Sequence, residues 1–150
     1  MKDIHKMKRP WSGAYVCVFN RDFSEILLLW RKKEKRGKTV LGWGNVGGTI
    51  KHGEKPLHAC IREAKEEIGI SLSPKSLAFI CVKSVKGPGQ LRWPIYFYAA
   101  SIGDKTRIQL SSESRGYAWF KKNELPDKTL DSEKDILDWW QIARKTLQNA

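Results

Sequence analysis

Residues 48–70 read GTIKHGEKPLHACIREAKEEIGI. Side chains three and four positions apart share one face of an α-helix. Leu57, Ile61, Ala64 and Ile68 recur at that spacing and predict a core-facing stripe on a helix over residues 55–68. Pro56 suits the first turn, where its missing N–H costs nothing, and Gly69 suits a left-handed stop. Glu63, Glu66 and Glu67 are then expected together on the face opposite the stripe.

Like charges at helical spacing repel by a few tenths of a kcal/mol per pair, so the cluster asks for compensation. An acidic solvated helix face is the plain explanation. The chemical one is a hard divalent cation, Mg²⁺ or Mn²⁺, which takes carboxylate oxygens and shares its shell with substrate phosphates.

The spacing separates the two. The stretch resembles the Nudix box, G-x5-E-x7-R-E-U-x-E-E-x-G-U with U aliphatic, the signature of the MutT-like Nudix hydrolases. Gly48, Glu54, Arg62, Glu63, Glu66, Glu67, Gly69 and Ile70 all fall in place, with the small Ala64 at the first U. Upstream, Trp43-Gly44-Asn45-Val46-Gly47-Gly48 is similar to the family's W-x-x-P-G-G, with valine for proline. Downstream, residues 113–126, ESRGYAWFKKNELP, look like a passage common late in the family.

The resemblance implies an α/β/α sandwich with a mixed sheet, and hydrolysis of a diphosphate linkage in a nucleoside diphosphate derivative. It implies that Glu63, Glu67 and Glu66 hold the cation with the carbonyl of Gly47. Arg62 and Glu54 would form a structural pair orienting loop and helix. For the general base the family offers either a box glutamate, Glu66 or Glu63, or a late-loop one, for which Glu113 is the candidate. His52 and His58 are not needed in an all-oxygen site.

Around the box the chain reads as follows. Residues 12–19 and 25–31 are β-branched and apolar and predict two strands joined by a turn at Asn20-Arg21-Asp22. Residues 31–38, RKKEKRGK, read as a basic loop, and Lys32, Lys33 and Lys35 are candidates for steering substrate phosphate. Strands are expected at 77–85, 91–100, 107–110 and 116–120, with a turn at Gly87-Pro88-Gly89 and with Pro94 marking an edge or a bulge. Residues 131–147 predict an amphipathic helix capped by Asp131 or Ser132, with Ile136, Trp140, Ala143 and Leu147 inward. This order, strands around two helices, independently suggests a mixed sheet between helical layers.

The length of 150 residues fits one domain over 1–150. No apolar run reaches the ~18 residues of a membrane span, and the charged N-terminus lacks a secretory apolar core. Cys17, Cys60 and Cys81, odd in number and in apolar surroundings, read as buried thiols in a reducing, cytoplasmic setting. The net charge of +12 is uneven: residues 1–40 carry 11 basic and 4 acidic side chains, residues 71–120 carry 7 and 2. Basic segments thus flank the acidic helix and suit a polyanionic partner.

The substrate class stays open among nucleoside triphosphates, ADP-ribose, dinucleoside polyphosphates and RNA 5′ ends. Pro88, in a Gly-Pro-Gly turn, says little for ADP-ribose. Seven tryptophans could stack a base, though most read as core. A small nucleotide is the expected partner, RNA a possible one, and the oligomer either monomer or homodimer. A non-catalytic nucleotide- or RNA-binding Nudix domain is the alternative, which has no need to keep every box carboxylate.

Overall fold

The structure is a computed structural model and describes residues 12–35, 38–87, 91–104 and 106–148. Among these residues seven strands form one mixed sheet: β1 (Gly13–Asn20), β2 (Glu25–Lys35), β3 (Lys38–Gly44), β4 (Val46–Thr49), β5 (Ala78–Lys86), β6 (Arg92–Ile102) and β7 (Gly116–Lys121). Among the described residues, two α-helices, α1 (Pro56–Ile68) and α2 (Glu133–Ala143), cover its faces.

Strand alternation sorts the core into two layers. Ala14, Val16 and Val18 of β1 and Leu27 and Leu29 of β2 face α1, where they meet Ala59, Cys60, Ala64 and Ile68. Cys17, Phe19, Ile26 and Leu28 face the other way and meet Ile136, Trp139, Trp140 and Ala143 of α2. The result is the α/β/α sandwich with a mixed sheet that the sequence predicted: β1 runs parallel to β6 and antiparallel to β2.

The sheet is forked. β1 and β2 pair only near their turn, at Val18–Leu27 and Phe19–Ile26. Beyond it they part, and the nearly continuous β3–β4 segment bridges the opening. β3 pairs β2 from Leu29–Gly44 to Lys35–Lys38, while β4 pairs β1 from Val16–Val46 to Gly13–Thr49. Asn45 stands at the fork, between the two ladders.

Several boundaries differ from expectation. Residues 31–38 are not a loop. β2 runs to Lys35 and β3 begins at Lys38, so the basic run is the far end of a hairpin; Arg36, Gly37 and the side chain of Lys35 lie outside the described residues. The glycine-rich lead to the box is strand as well. Residues 107–110 join no ladder, because the Gln109 N–H donates instead to the Ile68 carbonyl at the end of α1. Pro94 is in an interior strand, but β1 pairs β6 only from Ile95 onward. The bulge falls in β5, between Phe79 and Cys81. Pro88 and Gly89 of the expected turn, and residues 1–11, lie outside the described residues. Helix α2 ends at Ala143 and continues as a wider turn, Arg144–Gln148; its N-cap is Ser132, which accepts from the Asp135 N–H.

The inward face of α1 is also rotated from the predicted one. Leu57 and Ile61 are half-buried, and Cys60, Ala64, Glu67 and Ile68 are buried. The small side chains let α1 lie close over β4. Glu67 is therefore carried inward with the apolar line, away from Glu66, which is half exposed.

Candidate active site

The site is built where α1 crosses β4. Gly47 has φ +152, and a Cβ there would stand 2.4 Å from the Ala14 carbonyl oxygen, so only glycine fits the backbone. At Gly48 a Cβ would meet Glu63 Oε1 at 2.8 Å. The missing side chain is what brings the Glu63 carboxylate onto the strand backbone.

Glu67 is 2% exposed. Its Oε1 accepts from Arg31 Nη1 at 2.8 Å and from the Gly47 N–H at 3.3 Å. Its Oε2 is buried and has no partner. Burial, and then the neighbouring Glu63 carboxylate, push the Glu67 carboxyl up to about 9, while Arg31 and the Gly47 amide pull it back. The Arg31 ion pair and the upward push oppose each other. Burial dominates, since a single arginine does not repay full desolvation of a carboxylate that has a second acid beside it.

Arg62 organises the outer side. Its Nε and Nη2 grip Glu54 at 2.8 and 3.0 Å, and Nη2 also reaches the Thr49 carbonyl. Nη1 donates to Glu63 at 2.8 Å and to Glu66 at 3.2 Å. Glu54 in turn accepts from the Lys51 N–H, and its hydrogen bonds from Arg62 hold its carboxyl below the usual range. Strand, loop and helix are thus fastened through one guanidinium. Gly69 closes the helix at φ +71, its N–H donating to the Ala64 and Lys65 carbonyls.

Among the described residues, no three His, Cys, Asp or Glu side chains converge as a ready metal cage. Glu63 and Glu67 approach each other, and arginines hold both. Yet the donors are all oxygen, and one of them is a buried carboxylate oxygen with nothing to accept from. A hard divalent cation suits that set.

Glu113 is exposed, on a loop tethered at both ends to the site. The Ser111 N–H donates to the Glu67 carbonyl, and the Arg115 N–H to the Trp30 carbonyl. Lys32 is exposed, and the Lys33 amine lies 5.4 Å from the Tyr15 ring centre. His52 and His58 are exposed.

Arg31 was not singled out in the sequence, though a signal existed. It shares strand parity with Leu27 and Leu29, so an extended β2 aims it at α1, where a buried arginine needs an acid. Asn45 was missed too. It is 2% exposed, donates from Nδ2 to Asp131 Oδ2 at 3.3 Å, and gives its carbonyl to Arg31 at 3.0 Å.

A family model described as the NUDIX domain matches residues 9–140. The chain belongs to the Nudix family. This Nudix chain is 31% identical over 148 residues to the human (Homo sapiens) 8-oxo-dGDP phosphatase NUDT18, a match covering 97% of the chain and 42% of that protein. It thus spans less than half the length of that relative. A MutT Nudix hydrolase from Burkholderia pseudomallei superposes with a TM-score of 0.67 at 21% identity, covering 89% of this chain and 98% of that one. The E. coli dihydroneopterin triphosphate pyrophosphohydrolase gives 0.66 at 21%, covering 95% and 98%. At such identities the structures establish the Nudix fold.

Proposed function

We propose that this Nudix domain is a Mg²⁺- or Mn²⁺-dependent pyrophosphohydrolase that cleaves a diphosphate linkage in a nucleoside diphosphate derivative. The observation that carries the reading is the buried, partnerless Oε2 of Glu67 beside the Glu63 carboxylate, over the Gly47-Gly48 backbone.

Glu63 and Glu67 would hold the cation, with the Gly47 carbonyl as backbone donor; Glu66, which does not converge with them, would join only by turning away from Arg62. Such a cation, when bound, offsets phosphate charge and makes a bound water more acidic. The chain's own contributions are positional. Arg31 and the Gly47 N–H fix one oxygen of Glu67 and leave the other free. Gly48 admits Glu63 to the strand. Arg62, gripped by Glu54, sets the turn of helix that carries Glu63 and Glu66. Glu113, on its tethered loop, is the proposed general base for the attacking water, with Glu66 or Glu63 as the alternatives. The basic end of the β2–β3 hairpin steers the anionic substrate.

Because the relative at 31% identity is named an 8-oxo-dGDP phosphatase, oxidised guanine nucleoside diphosphates lead the substrate list. Nucleoside triphosphates, ADP-ribose, dinucleoside polyphosphates and RNA 5′ ends complete it. No helix among the described residues is long and apolar enough to cross a membrane. The three cysteines are free, which agrees with a cytoplasmic setting. The test is a panel of those substrates, 8-oxo-dGDP included, assayed with Mg²⁺ and with Mn²⁺. Turnover of one member supports the enzyme; turnover of none, with binding retained, replaces it with a nucleotide-binding module.

A further inference from the structure

The two ends of the strand order are finished differently. Beyond β3 the backbone continues to bond: the Trp43 N–H donates to the Lys128 carbonyl, and the Leu130 N–H to the Trp43 carbonyl. At the other edge β5 pairs with β6, and no other backbone group among the described residues bonds to it. We propose that the open edge of β5 receives an extended, acidic segment of a partner protein as an added strand.

Three observations meet at this edge. The first is what it shows to solvent. Phe79 and Val82 are large and apolar, yet 53% and 51% exposed. The ladder partners of Phe79, Val82, Ser84 and Lys86 are alternate residues of β6, from Tyr98 to Arg92, so these four side chains share one face of β5.

The second is charge. Residues 71–102 carry Lys75, Lys83, Lys86 and Arg92, and no aspartate or glutamate. Asp135 of α2 neutralises Lys83. Among the described residues, Lys75, Lys86 and Arg92 are in no ion pair.

The third is that the cationic end of the row is fixed in advance. Pro94 stands opposite Ser84 and has no N–H to give the ladder. Arg92 donates instead, to the Ser84 carbonyl and to its Oγ, both at 2.8 Å. The guanidinium is thereby held along β5.

The chemistry of the partner follows. An added strand satisfies the backbone groups of an edge, and its alternate side chains set the specificity. Apolar side chains belong beside Phe79 and Val82, acidic ones beside Lys86 and Arg92. The bulge puts one extra residue between Phe79 and Val82, so successive inward residues of a regular strand stand opposite both. A second copy of this chain is the weaker occupant. β5 against β5 brings lysine towards lysine, and lysines and bulges are how sheet edges resist such pairing. An RNA strand suits the cations but not the whole row, since Val82 offers no ring face for a base to stack on.

Nothing here depends on the hydrolase reading, so binding tests it apart from turnover. The probe is a blocked peptide, Thr-Glu-Thr-Glu-Thr-Val-Thr-Val-Thr, together with its reversed sequence, to serve both strand directions. Each is titrated into the full chain and followed through backbone amide shifts by NMR. With one of the two, shifts should concentrate on residues 78–86 and saturate below millimolar concentration. Lysine in place of glutamate in that peptide should weaken binding at least about tenfold, because like charges across an interface are penalised. Lys86→Glu should weaken the acidic peptide about tenfold and Val82→Ser about threefold, both with Tm unchanged, as expected for exposed positions. No shift with either sequence at millimolar concentration, or equal binding of the lysine peptide, would overturn the proposal. So would shifts centred on Lys32 and Lys33, which would mean attraction to the basic hairpin alone. An oligouridylate that displaces the peptide from the β5 amides would assign the edge to RNA instead. A dimer in ultracentrifugation whose β5 amides broaden with concentration would assign it to a second copy.

Discussion

Two guanidinium clusters hold the carboxylates of α1, Arg62 on Glu63 and Arg31 on Glu67, and they differ in kind. Arg62 sits on α1 and spreads its donors over Glu54, Glu63, Glu66 and the Thr49 carbonyl, all of them more exposed than Glu67. Arg31 comes from β2 and meets one carboxylate, Glu67, which is almost wholly buried. The outer cluster fastens loop to helix. The inner one gives a buried carboxyl a partner, although burial still favours its protonated form in the metal-free chain. The difference teaches that one short motif is held by two unlike devices, only one of them within the motif.

The sharpest way to test that division is at the inner acid. Glu67→Gln keeps the size of the side chain and an oxygen for Arg31 and the Gly47 N–H, but removes the charge. kcat should fall at least ~10²-fold, a loss of about 2.7 kcal/mol or more in transition-state stabilisation, with the fold retained. Near-normal kcat at saturating Mg²⁺ would remove Glu67 from the metal set. Glu66→Gln, on the half-exposed side, should cost less.

Removing the arginines comes next. Arg31→Met keeps the aliphatic stem but leaves Glu67 buried without its cation. Breaking a buried pair in this way costs about 3 kcal/mol, limited here because Glu67 can take up a proton. Arg62→Met strips more hydrogen bonds but leaves their partners closer to water, and should cost about 1–2 kcal/mol. Denaturant melts of the metal-free proteins above about pH 9, where Glu67 is ionised, decide. If Arg62→Met is the more damaging, the buried-charge account of Arg31 is wrong.

How legible this was follows the same division. Glu54, Arg62, Glu63 and the two glycines at 47 and 48 are local, so spacing along the chain exposes them. The two-layer core was legible as well, because alternation along β1 and β2 is a property of each strand alone. Arg31 depends on how far β2 extends, and its charged end looked like a loop because strand propensity says little about an exposed basic run. Its pairing with β3 is decided across the hairpin. The fork was hidden for a stronger reason: it exists only when β1 has chosen β4 over β2 for half its length. Glu67 was read as outward because helical periodicity gives a face but not which face lies deepest. Two small residues, Cys60 and Ala64, rotated it.

The clusters should also answer pH with opposite sign. The folded chain holds Glu54 below its ordinary value of 4.5, through Arg62, so its contribution is present above that value and lost as pH falls through the lowered one. Glu67 is pushed up from 4.5 to about 9, so the metal-free folded chain keeps a proton that the unfolded chain releases. Its effect is to reduce stability steadily as pH rises from about 4.5 towards 9. Thermal melts of metal-free protein across pH 3–9, a window spanning both values, should show Glu54→Gln flattening the acid limb and Glu67→Gln the alkaline one. An alkaline limb unchanged by Glu67→Gln would mean that Glu67 is ionised throughout, and that Arg31 outweighs burial.

The smallest effect expected is on encounter. The strand registers bring the end of the β2–β3 hairpin, the end of β5 and the start of β6 to the same end of the sheet as Gly47 and Gly48. Lys32 and Lys33 on one side, and Lys83, Lys86 and Arg92 on the other, therefore lie at the site's end of the sheet, although Lys83 is engaged with Asp135 at 2.8 Å. Steering from exposed charges is screened over ~8–10 Å at 0.1–0.15 M salt. kcat/KM should fall about threefold as salt rises from about 0.01 to 0.15 M, mostly through KM, and more for a triphosphate than for ADP-ribose. Replacing Lys32, Lys33 and Lys35 together by alanine should flatten the slope. A triple variant that keeps the wild-type slope would make those lysines a solvated strand end. A wild-type rate indifferent to salt would remove the case for a polyanion such as RNA, because an RNA 5′ end cannot approach a strongly basic surface without displacing counterions.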